Sequence, residues 1–136
     1  MRTFAMLKPE TVRRNLIGEV LRRLESDGFK IVGMKLIRAS EEQARMLYEV
    51  HKGKPFYDSL IRHITSGPIV CTVLERDNAV AGLRAFIGST NPAEAKPGTI
   101  RRDFGLSMTE NAIHASDSPA SYEREMAIFF KKEELV

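Results

Sequence analysis

The run Ile69-Val-Cys-Thr-Val-Leu74 leaves the chain few ways to fold. It is almost wholly apolar and rich in β-branched residues, with Gly67-Pro68 directly before it. Such a run is a strand buried at the centre of a sheet. The remaining segments must supply neighbours for it.

Arg2 to Leu7 is a second short apolar run, closed by Lys8-Pro9, and reads as a strand. Leu16, Ile17, Val20, Leu21 and Leu24 recur at helical spacing, with Arg22, Arg23 and Glu25 on the opposite face. Gly28 stops that helix from the C′ position. Lys30 to Arg38 alternates, which predicts a strand with Val32, Met34 and Leu36 on one side. Ser40 and Gln43 have capping-box spacing and open a helix carrying Ala44, Leu47 and Tyr48. Gly53-Lys54-Pro55 breaks it, and Phe56, Leu60, Ile61 and Ile64 mark the next helix. Tyr48 and Phe56 flank the break, where aromatics can clamp a planar ligand. Asn78 to Ile87 reads as a helix with Val80, Leu83 and Ile87 inward and Arg84 at the border.

From Ser89 to Glu110 the pattern has little periodicity, and a loop of roughly twenty residues in a compact domain is a functional loop when it carries apolar anchors. Ile100, Phe104 and Leu106 are such anchors. Asn111 to His114 forms a short strand. Ser118 as N-cap with Pro119 at the first helical position then starts a helix that runs to Phe130. The order predicts one α+β domain over residues 1–136, a ferredoxin-like βαββαβ sandwich with a four-stranded, mainly antiparallel sheet. A helical hairpin is inserted between its second and third strands, a long loop precedes the fourth, and the helices lie on one face.

The strand–helix junction at Asn111-Ala-Ile-His114-Ala-Ser116-Asp117-Ser118 concentrates the chemistry. It places an imidazole among an amide, hydroxyls and a carboxylate at a strand end, a rigid support from which side chains meet a ligand. Neutral imidazole is a nucleophile near pH 7, provided its second ring nitrogen is held by a partner. Glu125, about two turns into the following helix, can fold back to hold it. No phosphate-binding glycine loop of the common kinds is present, and His51, His63 and His114 sit in separate elements without metal-ligand spacing. Phosphate binding would fall to Lys8, Arg84 and Arg101 with the hydroxyl of Thr90. A net charge of +3 suits an anionic small ligand and is too small for a dedicated nucleic-acid binder. Arg13-Arg14 and Arg22-Arg23 are the features that suggest a secondary nucleic-acid role. The central run lacks the aromatics that RNA-binding modules of this sheet type use. The lone Cys71 excludes an internal disulfide, no apolar run approaches a membrane span, and no signal peptide opens the chain, which predicts a soluble cytoplasmic protein.

Taken with these residues, the chain resembles the nucleoside diphosphate kinases. The family signature Asn-x-x-His-[Gly/Ala]-Ser-Asp stands here at Asn111 to Asp117. Colinear matches include Lys8-Pro9, Gly28-Phe29-Lys30, Lys54-Pro55-Phe56, Ser66-Gly67-Pro68, Thr90-Asn91-Pro92 and Pro97-Gly98-Thr99-Ile100-Arg101, covering essentially the whole chain. Ala115 stands where many members have glycine, and Met108 where a smaller aliphatic is common.

The resemblance implies ping-pong transfer of a γ-phosphoryl from a nucleoside triphosphate, such as ATP or GTP, to Nδ1 of His114 and on to a nucleoside diphosphate. It implies that Glu125 and Ser116 brace the imidazole and that Tyr48 supports the site beside Lys8. Lys8 and Asn111 would bond the sugar hydroxyls, and Arg84, Thr90 and Arg101 would hold the phosphates. Phe56 would stack on the base, with Met108 near its other face, giving broad base specificity. Mg²⁺ would be held mainly by the nucleotide phosphates and water. A homo-oligomer is implied, a hexamer ahead of a tetramer.

Overall fold

In a computed structural model that describes all 136 residues, four strands form one sheet. They are β1 (Arg2–Leu7), β2 (Lys30–Ile37), β3 (Ile69–Glu75) and β4 (Ile113–Ala115), in the spatial order β2-β3-β1-β4. All three pairings are antiparallel. The helices are α1 (Pro9–Arg13), α2 (Ile17–Ser26), α3 (Glu41–Leu47), α4 (Tyr57–Ile64), α5 (Ala79–Ile87), α6 (Ile100–Phe104) and α7 (Pro119–Phe129). The α+β class, the strand order of the ferredoxin-like fold and the inserted hairpin α3–α4 are as the sequence predicts.

Helices cover both faces of the sheet, not one. The cause lies in β1 and β3, which are apolar on both sides and leave no face fit to meet water. Phe4 and Met6 of β1 join Ile69, Cys71 and Val73 of β3 under α3, α4 and α7. Ala5 and Leu7 join Val70 and Leu74 under α2, α5 and α6. Thr72, fully buried at the centre, satisfies its hydroxyl by donating to the Ala5 carbonyl at 2.9 Å.

The edge strand β2 also departs from expectation. Val32 is buried, yet Met34 and Leu36 are exposed. A bulge between Ile31 and Gly33 inserts Val32 as an extra residue and slips the alternation by one. Lys35 and Ile37 then pair with Cys71 and Ile69 on the first core, while Met34 and Leu36 pair with Thr72 and Val70 on the other side, beyond the reach of its helices.

Two short helices carry too few residues to show a period in the sequence. α1 begins at Pro9 with Glu10 in its first turn, a favourable start. α6 lies inside the long loop, capped by the Thr99 hydroxyl, which accepts from the Arg102 amide. The cap signals at Ser40, with Gln43 bonding back, and at Ser118 before Pro119 are both realised. β4 starts two residues later than predicted because Ala112 has φ +77° and the Ile113 amide bonds the Asn111 carbonyl at 3.0 Å. That is a γ-turn of the rare positive-φ kind.

Candidate active site

His114 sits in the middle of β4, paired to Met6 of the buried β1, so the sheet fixes its backbone. Its ring meets Tyr48 edge-on at 5.9 Å and Phe4 at 6.2 Å between centroids. Its Nε2 lies 2.7 Å from Glu125 Oε1, on the first turns of α7. The buried Ser116 hydroxyl donates to that same oxygen at 2.8 Å. Arg124 donates to the other carboxylate oxygen at 3.3 Å and to the Met46 carbonyl at 2.7 Å, tying α7 to α3.

Burial alone would raise the Glu125 carboxyl, but the bonds from His114 and Ser116 and the Arg124 charge outweigh it and hold it below the usual range. An ionised carboxylate only accepts, so the Nε2 beside it carries the proton. The other ring nitrogen, Nδ1, is left with its lone pair.

His114 lines a cleft of about 490 Å³. Lys8, Tyr48, Phe56, Arg84, Thr90, Arg101, Asn111, His114 and Glu125 all line it. The structure thus brings together every site residue expected from the sequence except Ser116, which lies just behind Glu125. Lys8 comes from the turn between β1 and α1, Arg84 from α5 and Arg101 from α6. Lys8 is 5% exposed and donates to the Thr109 carbonyl at 3.1 Å. Burial pulls its pKa down to about 8, with Glu10 opposing and Arg101 adding to the shift. Arg101 is lowered to about 10 by burial and by Arg84. It donates to the carbonyls of Gly88 and Ile113 at 3.1 and 2.8 Å, and its Nε has no partner. Gly88 has φ +92°, and a Cβ there would fall 2.6 Å from the Thr99 hydroxyl, so α5 and α6 can only meet at a glycine.

Asn111 is 2% exposed; its amide donates to the Thr90 carbonyl at 3.0 Å, while its Oδ1 lacks a partner. Buried polar atoms are ordinarily bonded, so this oxygen is an acceptor left free beside the cleft. Cations short of counter-ions and a free acceptor describe a pocket for a polyanion that also carries hydroxyls.

Tyr48 and Phe56 do not form a clamp. Tyr48 is 4% exposed and packs against His114, whereas Phe56 is 44% exposed at the cleft mouth. Met108, 60% exposed, and Val50, 68% exposed, are further apolar residues that line the cleft. His51 was not singled out by sequence reasoning, yet it lines the cleft, sits edge-on to Phe56 at 5.3 Å, and has a buried Nδ1 without a partner. The signal for it is its place three residues after Tyr48, beside the break before Phe56. Arg124 was missed because only the folded α7 shows which way it points. Asp117 also lines the cleft and takes a hydrogen bond from Ser121. No three His, Cys, Asp or Glu side chains gather where they could cage an ion. The arginine pairs considered for nucleic acid are engaged locally: Arg22 and Arg23 with Glu19, Arg23 also with Asp103, and Arg14 with the Phe104 carbonyl.

Comparison with known proteins agrees with this geometry. The family model for nucleoside diphosphate kinase matches residues 1–135. The nucleoside diphosphate kinase of Sulfurisphaera tokodaii is 58% identical over 99% of this chain and 92% of its own length. That of Moorella thermoacetica is 55% identical over 98% and 96%. The structure of a halophilic nucleoside diphosphate kinase from Halobacterium salinarum in complex with CDP superposes with a TM-score of 0.97 at 46% identity, covering all of this chain and 91% of that one.

Proposed function

The chain belongs to the nucleoside diphosphate kinase family, and from that membership we propose how its cleft works: His114 carries a phosphoryl group between nucleotides. The observation that carries this reading is the occupation of His114 Nε2 by an ionised Glu125, which leaves Nδ1 as the nucleophile. A nucleoside triphosphate binds with its phosphates against Arg84, Thr90 and Arg101. The Nδ1 lone pair attacks the γ-phosphorus in line, and the bond to the β,γ-bridging oxygen breaks. The diphosphate leaves with that electron pair. The Nε2 proton stays between His114 and Glu125, whose negative charge offsets the positive charge developing on the ring. A second diphosphate then enters the same pocket, and its terminal oxygen takes the phosphoryl from Nδ1. One covalent intermediate lets one site serve both substrates in turn. Phosphoryl transfer depends mainly on positioning and charge neutralisation, which fixed cations supply.

Lys8 and the free Oδ1 of Asn111 bond the sugar hydroxyls, and Tyr48 holds the imidazole face beside Lys8. Phe56 stacks on the base. Stacking accepts any base, since each has a π-face, so specificity is broad. Mg²⁺ enters as part of the Mg–nucleotide substrate. Asp117 is the cleft's one carboxylate not already bound to His114, and a lone carboxylate fits an ion carried by phosphate oxygens and water. The hydrogen bond from Ser121 and the charge of Arg84 hold its carboxyl below the usual range against its partial burial.

No helix is long and apolar enough to cross a membrane; a cytoplasmic location is part of the proposal, resting on the nucleotide substrates the family acts on. The exposed Met34 and Leu36 on the edge strand and Leu106 in the long loop suit contacts between copies in a homo-oligomer, a hexamer before a tetramer. Sedimentation giving a monomer would exclude both.

The test of the reaction is to incubate the protein with Mg-ATP and weigh it. One acid-labile phosphate, absent in His114→Ala and discharged by any added nucleoside diphosphate, is the expected result. A folded protein that takes up no phosphate would overturn the reading.

A further inference from the structure

A second histidine–carboxylate pair lies behind the cleft, outside the machinery described above. Glu10, on α1, is 3% exposed, and both of its oxygens are used. Oε1 lies 2.7 Å from Nε2 of His63 on α4, and Oε2 accepts from the Ala112 amide at 2.8 Å. A carboxylate is an expensive group to bury, and an apolar side chain would fill the same space at lower cost. What an apolar side chain lacks is the ability to hold the Ala112 N–H.

Ala112 is the centre of the γ-turn, at φ +77°. A non-glycine residue persists in such a conformation only where its surroundings over-determine it. Here the Ala112 peptide groups are gripped from both ends by one short segment. Glu10 takes the amide, while the Thr11 hydroxyl and the Lys8 amide donate to the Ala112 carbonyl at 2.8 and 3.0 Å. On one side of the turn stands Asn111, with its unpartnered Oδ1, and on the other the strand that carries His114. Releasing the turn would let Asn111 relax toward an ordinary backbone and lose its aim.

We propose that Glu10, braced by His63, is a positioning residue of the phosphotransfer site: it locks the Ala112 turn and thereby aims Asn111 at the sugar hydroxyls. The inference rests on the sugar contact assigned to Asn111 above. Glu10 has a second influence in the same direction. Its charge opposes the effect of burial on Lys8, the other group assigned to the sugar.

The test uses the full chain and two phosphoryl acceptors, a nucleoside diphosphate and its 2′,3′-dideoxy analogue, with kcat and KM measured for each. Wild type prefers the hydroxylated acceptor by about tenfold in kcat/KM, as one or two hydrogen bonds provide. Glu10→Ala cuts that preference to about twofold. Glu10→Gln restores most of it, because the amide oxygen still accepts from Ala112. His63→Phe, which keeps the carboxylate but removes its brace, lies between the two. If Glu10→Ala slows both acceptors equally and leaves the preference intact, Glu10 is merely structural and the inference is overturned. If Glu10→Ala does not fold, His63→Phe decides, and a wild-type preference in that variant overturns it. A wild type indifferent to the sugar hydroxyls would overturn the Asn111 contact itself, and the inference with it.

Discussion

His114 and Ser116 meet on a single oxygen: Glu125 Oε1 lies 2.7 Å from the histidine Nε2 and accepts from the serine hydroxyl at 2.8 Å. The serine fixes the carboxylate, and the carboxylate fixes the ring. Glu125→Ala should therefore lower kcat about 10²-fold, the scale of a reacting group misplaced by an ångström. Ser116→Ala should lose less, since the carboxylate remains, and Glu125→Gln should fall between. Single-turnover phosphorylation of His114 measures the step directly. Equal losses in Ser116→Ala and Glu125→Ala would contradict this order.

In the proposed site, Lys8 should set an upper pH limit for binding. With its pKa near 8, the free enzyme loses this cation as the pH rises through that value. The profile of kcat/KM, which reports the free enzyme, should fall on the alkaline side with a midpoint near 8. Stability moves the other way. Between about 8 and the ordinary lysine value of 10.5, the unfolded chain holds this proton and the folded chain does not. Lys8 thus contributes rising stability across that window. A melting temperature that drops in step with activity would point to unfolding instead.

The acid limb should belong to Glu10 and Glu125. Burial raises both, but hydrogen bonds from His63 and the Ala112 amide to one, and from His114 and Ser116 to the other, bring both below the ordinary value of 4.5. A carboxyl lowered on folding stabilises the protein fully above its unfolded pKa and loses that contribution as the pH falls through the folded one. Melting curves should therefore show stability declining below about pH 4.5. Each Glu→Gln variant should have a flatter acid limb, and an unchanged limb in both variants would refute the assignment.

Phe56, proposed to stack on the base, lies outside the core at 44% exposure. Phe56→Ala should weaken binding of purine and pyrimidine nucleotides alike, by roughly 1–3 kcal/mol for one lost stacking partner. Its half-open position predicts little change in melting temperature. Steady-state kinetics with four different diphosphates would expose any base-selective loss, which stacking alone does not produce.

Long elements and their caps were legible in the sequence because each is a local pattern: Ser118-Pro119, Ser40 with Gln43, and the Ile69–Leu74 run. The five-residue helices α1 and α6 were not, being shorter than two turns. The phase of β2 was misread because one inserted residue at Val32 flips every side chain after it. Within the cleft, the family signature and colinear motifs pointed to His114 and its partners, Asp117 among the signature residues, while His51 and Arg124 became visible only once α3, α4 and α7 were folded over the strand ends. The Glu10–His63 pair joins residues 53 apart in the chain, a distance no local pattern spans.

The sheet divides the molecule into two oily compartments, and the cleft opens where both run out. Phe56, His51 and Glu125 belong to the side of α3, α4 and α7, while Arg84 and Arg101 belong to the side of α5 and α6. A nucleotide lying base against Phe56 and phosphates against the arginines is therefore a rivet through two plates. Its grip adds to the cohesion of the whole fold in proportion to the logarithm of its concentration. The heat resistance of such a protein becomes a gauge of how well its surroundings are stocked with nucleotides.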